Sequence, residues 1–357
     1  MTFPSKYGRH VAVGRLMARG GERCCCPWIN ATSRGEDTAQ PGRAERKYPR
    51  RVFFEALATG SRRLPAFRGK ANVAERMRRC YHATNGEAWL ITRHNGDRVL
   101  VPPASHLGWQ TAFTGVWDDR LIEHIMRYLR PGTLALDVGA SIGLWTVPLA
   151  KAARSLGAAV IAFEPLPANM RWLAANLAIN EVPDIVTVHD VALGASAYVM
   201  RLESAEMAGG SAALAVADAD PLAAEGVDVE VRPLDDLKLS HPVSFMKLDV
   251  EGFECQVLKG ALSLIERDQP VIFGEFDPRF LALRGERLAP LLEHLTALGY
   301  RVFAVDTARR RPWSVRDLPR VRRLELPLPS VSPGDLLLLP EWTQSVSATA
   351  VSRVSSV

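Results

Sequence analysis

Cysteine is scarce in this 357-residue chain: there are five, three of them consecutive at Cys24, Cys25 and Cys26. Sequence neighbours cannot pair without strain, so a disulfide framework is excluded. No second pair stands at ligand spacing, so a cysteine metal site is not expected either. A reducing, cytoplasmic setting is the natural expectation. No apolar run approaches the length of a bilayer-spanning helix, and Met1 to Asn30 lacks the apolar stretch of a secretory signal. What is present is a core-forming composition, 47% hydrophobic and 23% charged, which rules out a chain disordered throughout.

The charge is unevenly spread. Residues 1–80 hold 18 of the 44 basic and 6 of the 39 acidic side chains, a net of +12, which leaves −7 for residues 81–357. The basic surplus belongs to the amino-terminal segment, and the body is acidic. An enzyme acting on nucleic acid usually carries its positive charge on the face that does the chemistry. Arg50-Arg51 and Arg62-Arg63 could form an RNA- or membrane-surface patch, but charge runs alone rarely specify a partner.

Residues 1–70, punctuated by Arg, Gly and Pro with weak helical periodicity, read as a poorly ordered basic arm. An extension over residues 71–130 follows. In it, β-rich runs from Glu87 to Arg93 and from Arg98 to Pro102 flank His94-Asn95-Gly96-Asp97, a strong hairpin signal. Leu121, Ile122, Ile125, Met126 and Leu129 then recur at helical spacing until Pro131-Gly132. Residues 131–340 alternate strands and helices. Strands are predicted over Leu134–Val138, Ala159–Phe163, Ile185–Val191, Val243–Leu248, Val271–Phe276, Arg301–Val305 and Leu336–Leu339. Helices fit after Ser141, after Pro167, around Phe253–Lys259 and over Leu288–Leu298. This order predicts an α/β fold with a doubly wound, mostly parallel sheet. The Arg/Pro-rich linker from Asp306 to Pro333 reads as a surface insertion, and residues 341–357 as a frayed tail.

Ligands of such sheets bind beyond the carboxyl ends of the strands. The first strand runs into Asp137-Val-Gly139-Ala-Ser141-Ile-Gly143, D-x-G-x-x-x-G leading to a helix. The middle glycine of a dinucleotide fingerprint is absent, Ser141 standing there, and so is a Walker lysine. The loop therefore suits neither a dinucleotide nor a triphosphate. A glycine-lined loop with an acidic first residue fits a cation that carries a carboxylate, and S-adenosylmethionine is both. Glu164 ends the second strand, where a carboxylate can accept both ribose hydroxyls. The third strand ends at Asp190 and Ala192, where an adenine edge would lie.

The most specific stretch is Lys247-Leu-Asp249-Val-Glu251-Gly252-Phe253-Glu254. With Asp137–Gly143, Phe163–Pro165, Ala192–Gly194, Leu234–Leu237, Leu258–Ala261 and Glu275, it resembles the FkbM family of S-adenosylmethionine-dependent methyltransferases. The likeness spans Leu134 to about Asp306. Ser141 departs from the pattern, the family commonly having Asn there. The resemblance implies the class I methyltransferase fold, Rossmann-like, with seven strands and the last antiparallel. It also implies methyl transfer to a hydroxyl of a sugar, glycan or secondary metabolite. Such a hydroxyl must lose its proton as it attacks, so a carboxylate or His near the methyl is expected. Asp249 and Glu251 are the candidate catalytic residues; helix capping is their bland alternative. Lys247, Glu275 and Ser211, in the small-residue run Ala208–Ser211, are candidates for the acceptor, though Lys247 could simply pair with an acid. The loop from Glu203 to Glu230 reads as a lid. No metal is expected, because scattered acids make a poor ligand set. The competing readings are an RNA methyltransferase, which the acidic body disfavours, and a non-catalytic cofactor-binding domain.

Overall fold

The structure is a computed structural model and describes residues 48–64, 70–81, 87–116, 118–203, 226–306, 320–324 and 334–343. The amino-terminal elements are α1 (Tyr48–Arg63), α2 (Lys70–Arg78), the strands β1 (Trp89–Thr92) and β2 (Arg98–Val101), α3 (His106–Thr114) and α4 (Asp119–Met126). The hairpin forms as its Asn-Gly turn predicts, with Trp89 opposite Val101 and Thr92 opposite Arg98. The helix α1 lies in a segment whose sequence suggests no order. Its carboxyl-terminal half is held from outside rather than by its own periodicity. Ser61 Oγ donates to the Phe113 carbonyl at 2.8 Å and an Arg62 guanidinium nitrogen to Ala112 O at 2.6 Å. The buried Lys70 ammonium donates to Ser61 O and Leu64 O, taking up carbonyls that the helix end leaves bare. Contacts place the compact body from Glu55 onward.

The remaining elements are β3 (Leu134–Val138), α5 (Thr146–Ser155), β4 (Ala159–Phe163), α6 (Pro167–Ile179), β5 (Val186–His189), β6 (Ala192–Leu193), β7 (Tyr198–Glu203), β8 (Gly226–Arg232), β9 (Val243–Leu248), α7 (Glu254–Lys259), α8 (Leu262–Asp268), β10 (Val271–Glu275), α9 (Pro278–Leu283), α10 (Leu288–Ala297), β11 (Arg301–Asp306), β12 (Arg320–Arg323) and β13 (Asp335–Leu339). The main sheet runs β5-β4-β3-β9-β10-β13-β11-β12. Pairing is parallel from β5 to β10, and β13 is antiparallel to both β10 and β11. This is the expected doubly wound sheet with its antiparallel strand.

Three details differ from expectation. Among the described residues the sheet has eight strands rather than seven, because β12, within the Arg/Pro-rich linker, pairs with β11. The expected third strand ends at His189, and Ala192–Leu193 crosses to a second sheet, β6-β8-β7, that the sequence pattern does not predict. Helices α2, α3, α8 and α9 also form where none was expected. The expected lid lies largely, and its Ser211 wholly, outside the described residues, as does the tail beyond Thr343. No helix among the described residues is long and apolar enough to cross a membrane.

The parallel strands are near-continuous apolar runs because helices cover both faces. Leu134, Leu136, Val138, Met246, Leu248 and Ile272 pack on one side with α7, α8 and α10. Ala135, Phe245, Val271, Phe273 and Leu337 pack on the other with α4, α5 and α6. Strand alternation then places Asp137 and Lys247 on the second face, continuing the rows begun by Ala135 and Phe245.

Candidate active site

The site forms where β3, β4, β9 and β10 end. Asp137 and Lys247 are direct partners in the parallel register of β3 and β9, and both are buried. The Lys247 ammonium lies 3.1 Å from Asp137 Oδ1 and 3.4 Å from Asp249 Oδ2, and donates to Gly139 O at 2.8 Å. Burial alone would lower its pKa; the Asp137 and Asp249 carboxylates outweigh that and raise it. Asp137 Oδ2 also accepts from Thr146 Oγ1 at 2.6 Å, tying the strand to the start of α5. Lys247 therefore braces the glycine loop from beneath. It does so through one hydrogen bond to Gly139 O and two ion pairs, to Asp137 and Asp249.

The loop is tightly fixed. Gly139 has φ +80, and a Cβ there would lie 1.9 Å from the Asp249 carbonyl oxygen. The missing side chain makes room for the β9 backbone, which donates in turn from Asp249 N to Val138 O. Ser141 has φ +50, a left-handed conformation that Asn adopts more readily. Gly143 (φ +90) lies in the turn before α5, which begins only at Thr146. The Glu164 carboxylate is buried and accepts from Ser141 N at 2.8 Å, Leu166 N at 2.9 Å and Asn169 Nδ2 at 3.2 Å. Desolvation pushes its pKa up, and these hydrogen bonds pull against the shift. Three of its roughly four acceptor directions are filled by protein.

A second brace comes from the hairpin. Asn176 on α6 and Asn180 at its C-cap stand one turn apart and act as a strand edge toward β2. Asn176 accepts from Leu100 N at 2.7 Å and donates to Leu100 O and Ile142 O; Asn180 does the same for Arg98 N and O. Buried Arg93, just past β1, donates to Leu144 O at 2.7 Å and pairs with Asp119. The extension thus holds the cofactor-type loop at Ile142 and Leu144.

Beside the loop opens a cleft lined by Asp118, Trp145, Lys247, Leu248, Asp249, Phe273, Glu275 and Asp335. Its floor is the stacked pair Trp145 and Phe273, with ring centroids 5.3 Å apart. Glu275 and Asp335 face each other across the β10–β13 register. Although solvent reaches it, the Glu275 carboxyl is pushed up to about 7, by desolvation first and then by Asp249, Asp335, Glu251 and Asp277. Glu251 sits at φ +52 in the turn after β9. Phe253 occupies the N-cap of α7, and the turn is held by Glu254, whose Oε1 accepts from Val250 N and Gly252 N. Burial pushes the Glu254 carboxyl up to about 7.

Asp137, Gly139, Ser141, Gly143, Glu164, Lys247, Asp249 and Glu275 are thus gathered at the carboxyl ends of the central strands, with Glu251 close by. Asp190 lies exposed after β5, and Ala192 starts β6 in the second sheet. His189 stacks on Phe163, three strand spacings from Asp249, about 14 Å. His241 precedes β9, at the opposite end of the strand from the cleft. Sequence reasoning missed Asp118, Trp145, Asn176, Glu254, Phe273 and Asp335. Only Glu254 belongs to a motif that could have drawn attention to it. Among the described residues no group of three or more His, Cys, Asp and Glu is arranged to hold a metal.

Residues 137–302 match the model of the methyltransferase FkbM domain. Methyltransferase sdnD of Sordaria araneosa is 29% identical over 46% of this chain and 73% of its own length. The structure of methyltransferase FkbM from Methylobacillus flagellatus KT aligns with a TM-score of 0.36 and 16% identity, covering 76% of this chain and 60% of that one. M. jannaschii TYW2 in complex with AdoMet gives 0.33 and 14%, covering 72% and 85%. The chain therefore spans 60% of the length of the Methylobacillus structure.

Proposed function

We propose that this chain, whose residues 137–302 match the methyltransferase FkbM domain, transfers a methyl group from S-adenosylmethionine to a hydroxyl oxygen of a small-molecule or glycan acceptor. The observation that carries the reading is the cleft, where carboxylates meet an aromatic floor directly beside the glycine loop. Its four acids suit an acceptor that offers hydroxyl or amine donors, next to the loop assigned to the methyl donor. A nucleic acid would bring phosphates to the same carboxylates, which weighs against an RNA acceptor.

Asp137, Gly139, Ser141, Gly143 and Glu164, with Asp190 and Ala192 toward the adenine, are the residues we assign to S-adenosylmethionine. When bound, that group supplies an electrophilic methyl on a sulfonium. The protein's part is to position the acceptor in line and to take its proton, and positioning accounts for much of the rate. Asp249 and Glu251 are the proposed bases. Glu275, with its raised pKa, can hold or accept a proton near neutral pH. Lys247 serves as the brace of Gly139 and Asp249, and Ser211 is assigned to the acceptor side by resemblance alone.

Calorimetry with S-adenosylmethionine and S-adenosylhomocysteine tests the cofactor. Binding is expected, and Glu164→Ala should weaken it by about 1–3 kcal/mol. A folded sample that binds neither, or that binds NAD, overturns the reading. Comparing metabolites of a deletion strain with its parent should reveal the acceptor as a compound lacking one CH₂ unit.

A further inference from the structure

Asp118 lies outside the residues that match the family, yet it lines the same cleft as Asp249 and Glu275. It precedes α4, the helix that packs Leu121, Ile122 and Ile125 against the sheet. Three observations bear on what it does. Its backbone sits at φ +54, a left-handed conformation that costs energy for a residue with a Cβ and recurs at functional sites. Although it holds the N-cap position, its side chain does not cap the helix. Its Oδ2 instead accepts from Trp145 Nε1 at 3.3 Å. Trp145 forms the cleft floor with Phe273. Its neighbour Asp119 is buried and paired with Arg93, which anchors the turn from the other side. The chain is thus held in a left-handed turn that places one carboxylate in the cleft at the indole N–H edge of Trp145.

We propose that Asp118 is an acceptor-binding residue, supplied to the cleft by the amino-terminal extension, which accepts a hydrogen bond from a hydroxyl or amine of the acceptor. The assignment rests on the proposed function and adds a specificity-determining group from outside the matching segment. The extension is then part of the active site and sets which acceptor is taken, while the loop from Asp137 to Gly143 serves the methyl donor.

The test uses the full chain, S-adenosylmethionine labelled in its methyl group and a metabolite extract from a strain lacking the gene. Asp118→Asn keeps the shape, the left-handed preference and an acceptor for Trp145. Asp118→Gly removes the side chain and relieves the backbone. Both variants should bind S-adenosylhomocysteine as the parent does and keep its melting temperature. Transfer of label at limiting extract should fall by about tenfold to a hundredfold, the loss expected for one hydrogen bond to a charged group. A folded variant that transfers label as well as the parent overturns the assignment. So does a loss of transfer that only follows a loss of folded protein, since that marks a structural role. If the parent itself binds S-adenosylhomocysteine but labels nothing in the extract, the proposed function falls first and the assignment with it.

Discussion

On the β3 side of the site the charged groups are buried and matched, whereas on the β10 side carboxylates face one another across an open cleft. Asp137, Lys247 and Glu164 make short contacts with one another or with loop amides. Asp118, Asp249, Glu275 and Asp335 line one cleft, where Lys247 is shared between Asp137 and Asp249, and desolvation and then the Asp249 and Asp335 charges push the Glu275 carboxyl up. The first arrangement fixes a loop. The second stores repulsion that a bound molecule can relieve, because like charges directly opposite on neighbouring strands cost stability. The molecule is thus tightly hydrogen-bonded where the methyl donor is proposed to bind and rich in carboxylates where the acceptor is.

The sharpest way to break the contrast is Lys247→Met. It leaves the Asp137 carboxylate buried without its cation and frees Gly139 O, so a loss of about 3–5 kcal/mol is expected by urea denaturation. A smaller loss would mean that Asp137 is not held as a charge. Asn176→Ala comes next. It strips Leu100 N, Leu100 O and Ile142 O of their partners, and should cost about 2–4 kcal/mol. Amide exchange at Leu100 should rise with it, and if exchange does not change, the hairpin is held by other contacts.

Glu275→Gln probes the β10 side. The carboxyl has a folded pKa of about 7, above its unfolded value. The stability linked to it is therefore fully present below the unfolded pKa and is lost as pH rises through about 7. The variant should match the parent near pH 4 and be the more stable one above pH 7. Solvent access limits the gain to about 1 kcal/mol. Melting curves across that range decide it, and equal stability at pH 8 would show that the cleft carboxylates do not repel. The smallest effect is expected from Ser141→Asn, which suits φ +50 better and should add about 0.5 kcal/mol, or about 1–2 °C in melting temperature. A lower melting temperature would instead mean that the larger side chain meets a neighbour in the loop.

Legibility follows the same division. The Lys247–Glu254 run and the Asp137–Gly143 loop could be read because each packs its chemistry into a few consecutive residues at a strand end. Their roles were less legible. Gly139 reads as an opening for a ligand, and the structure shows it also clearing the Asp249 carbonyl. Asp249 and Glu251 read as possible caps, yet Glu254 holds that turn. Tyr48–Arg63 carries too little periodicity to declare a helix, because its carbonyls and Ser61 are satisfied by Lys70 and α3.

The sequence by itself determined the alternation of strands and helices, the antiparallel seventh strand through its likeness to a family, and the acids at strand ends. Apolar runs, glycine positions and turn residues act locally, so their consequences can be read in order along the chain. Only the tertiary structure decided that Asp118, Asp249, Glu275 and Asp335 share one cleft. It alone set Lys247 opposite Asp137 and let two asparagines, one on α6 and one at its C-cap, stand in for a strand beside β2. Those pairings depend on strand register and on segments far apart in sequence, and neither leaves a mark in the local pattern of residues.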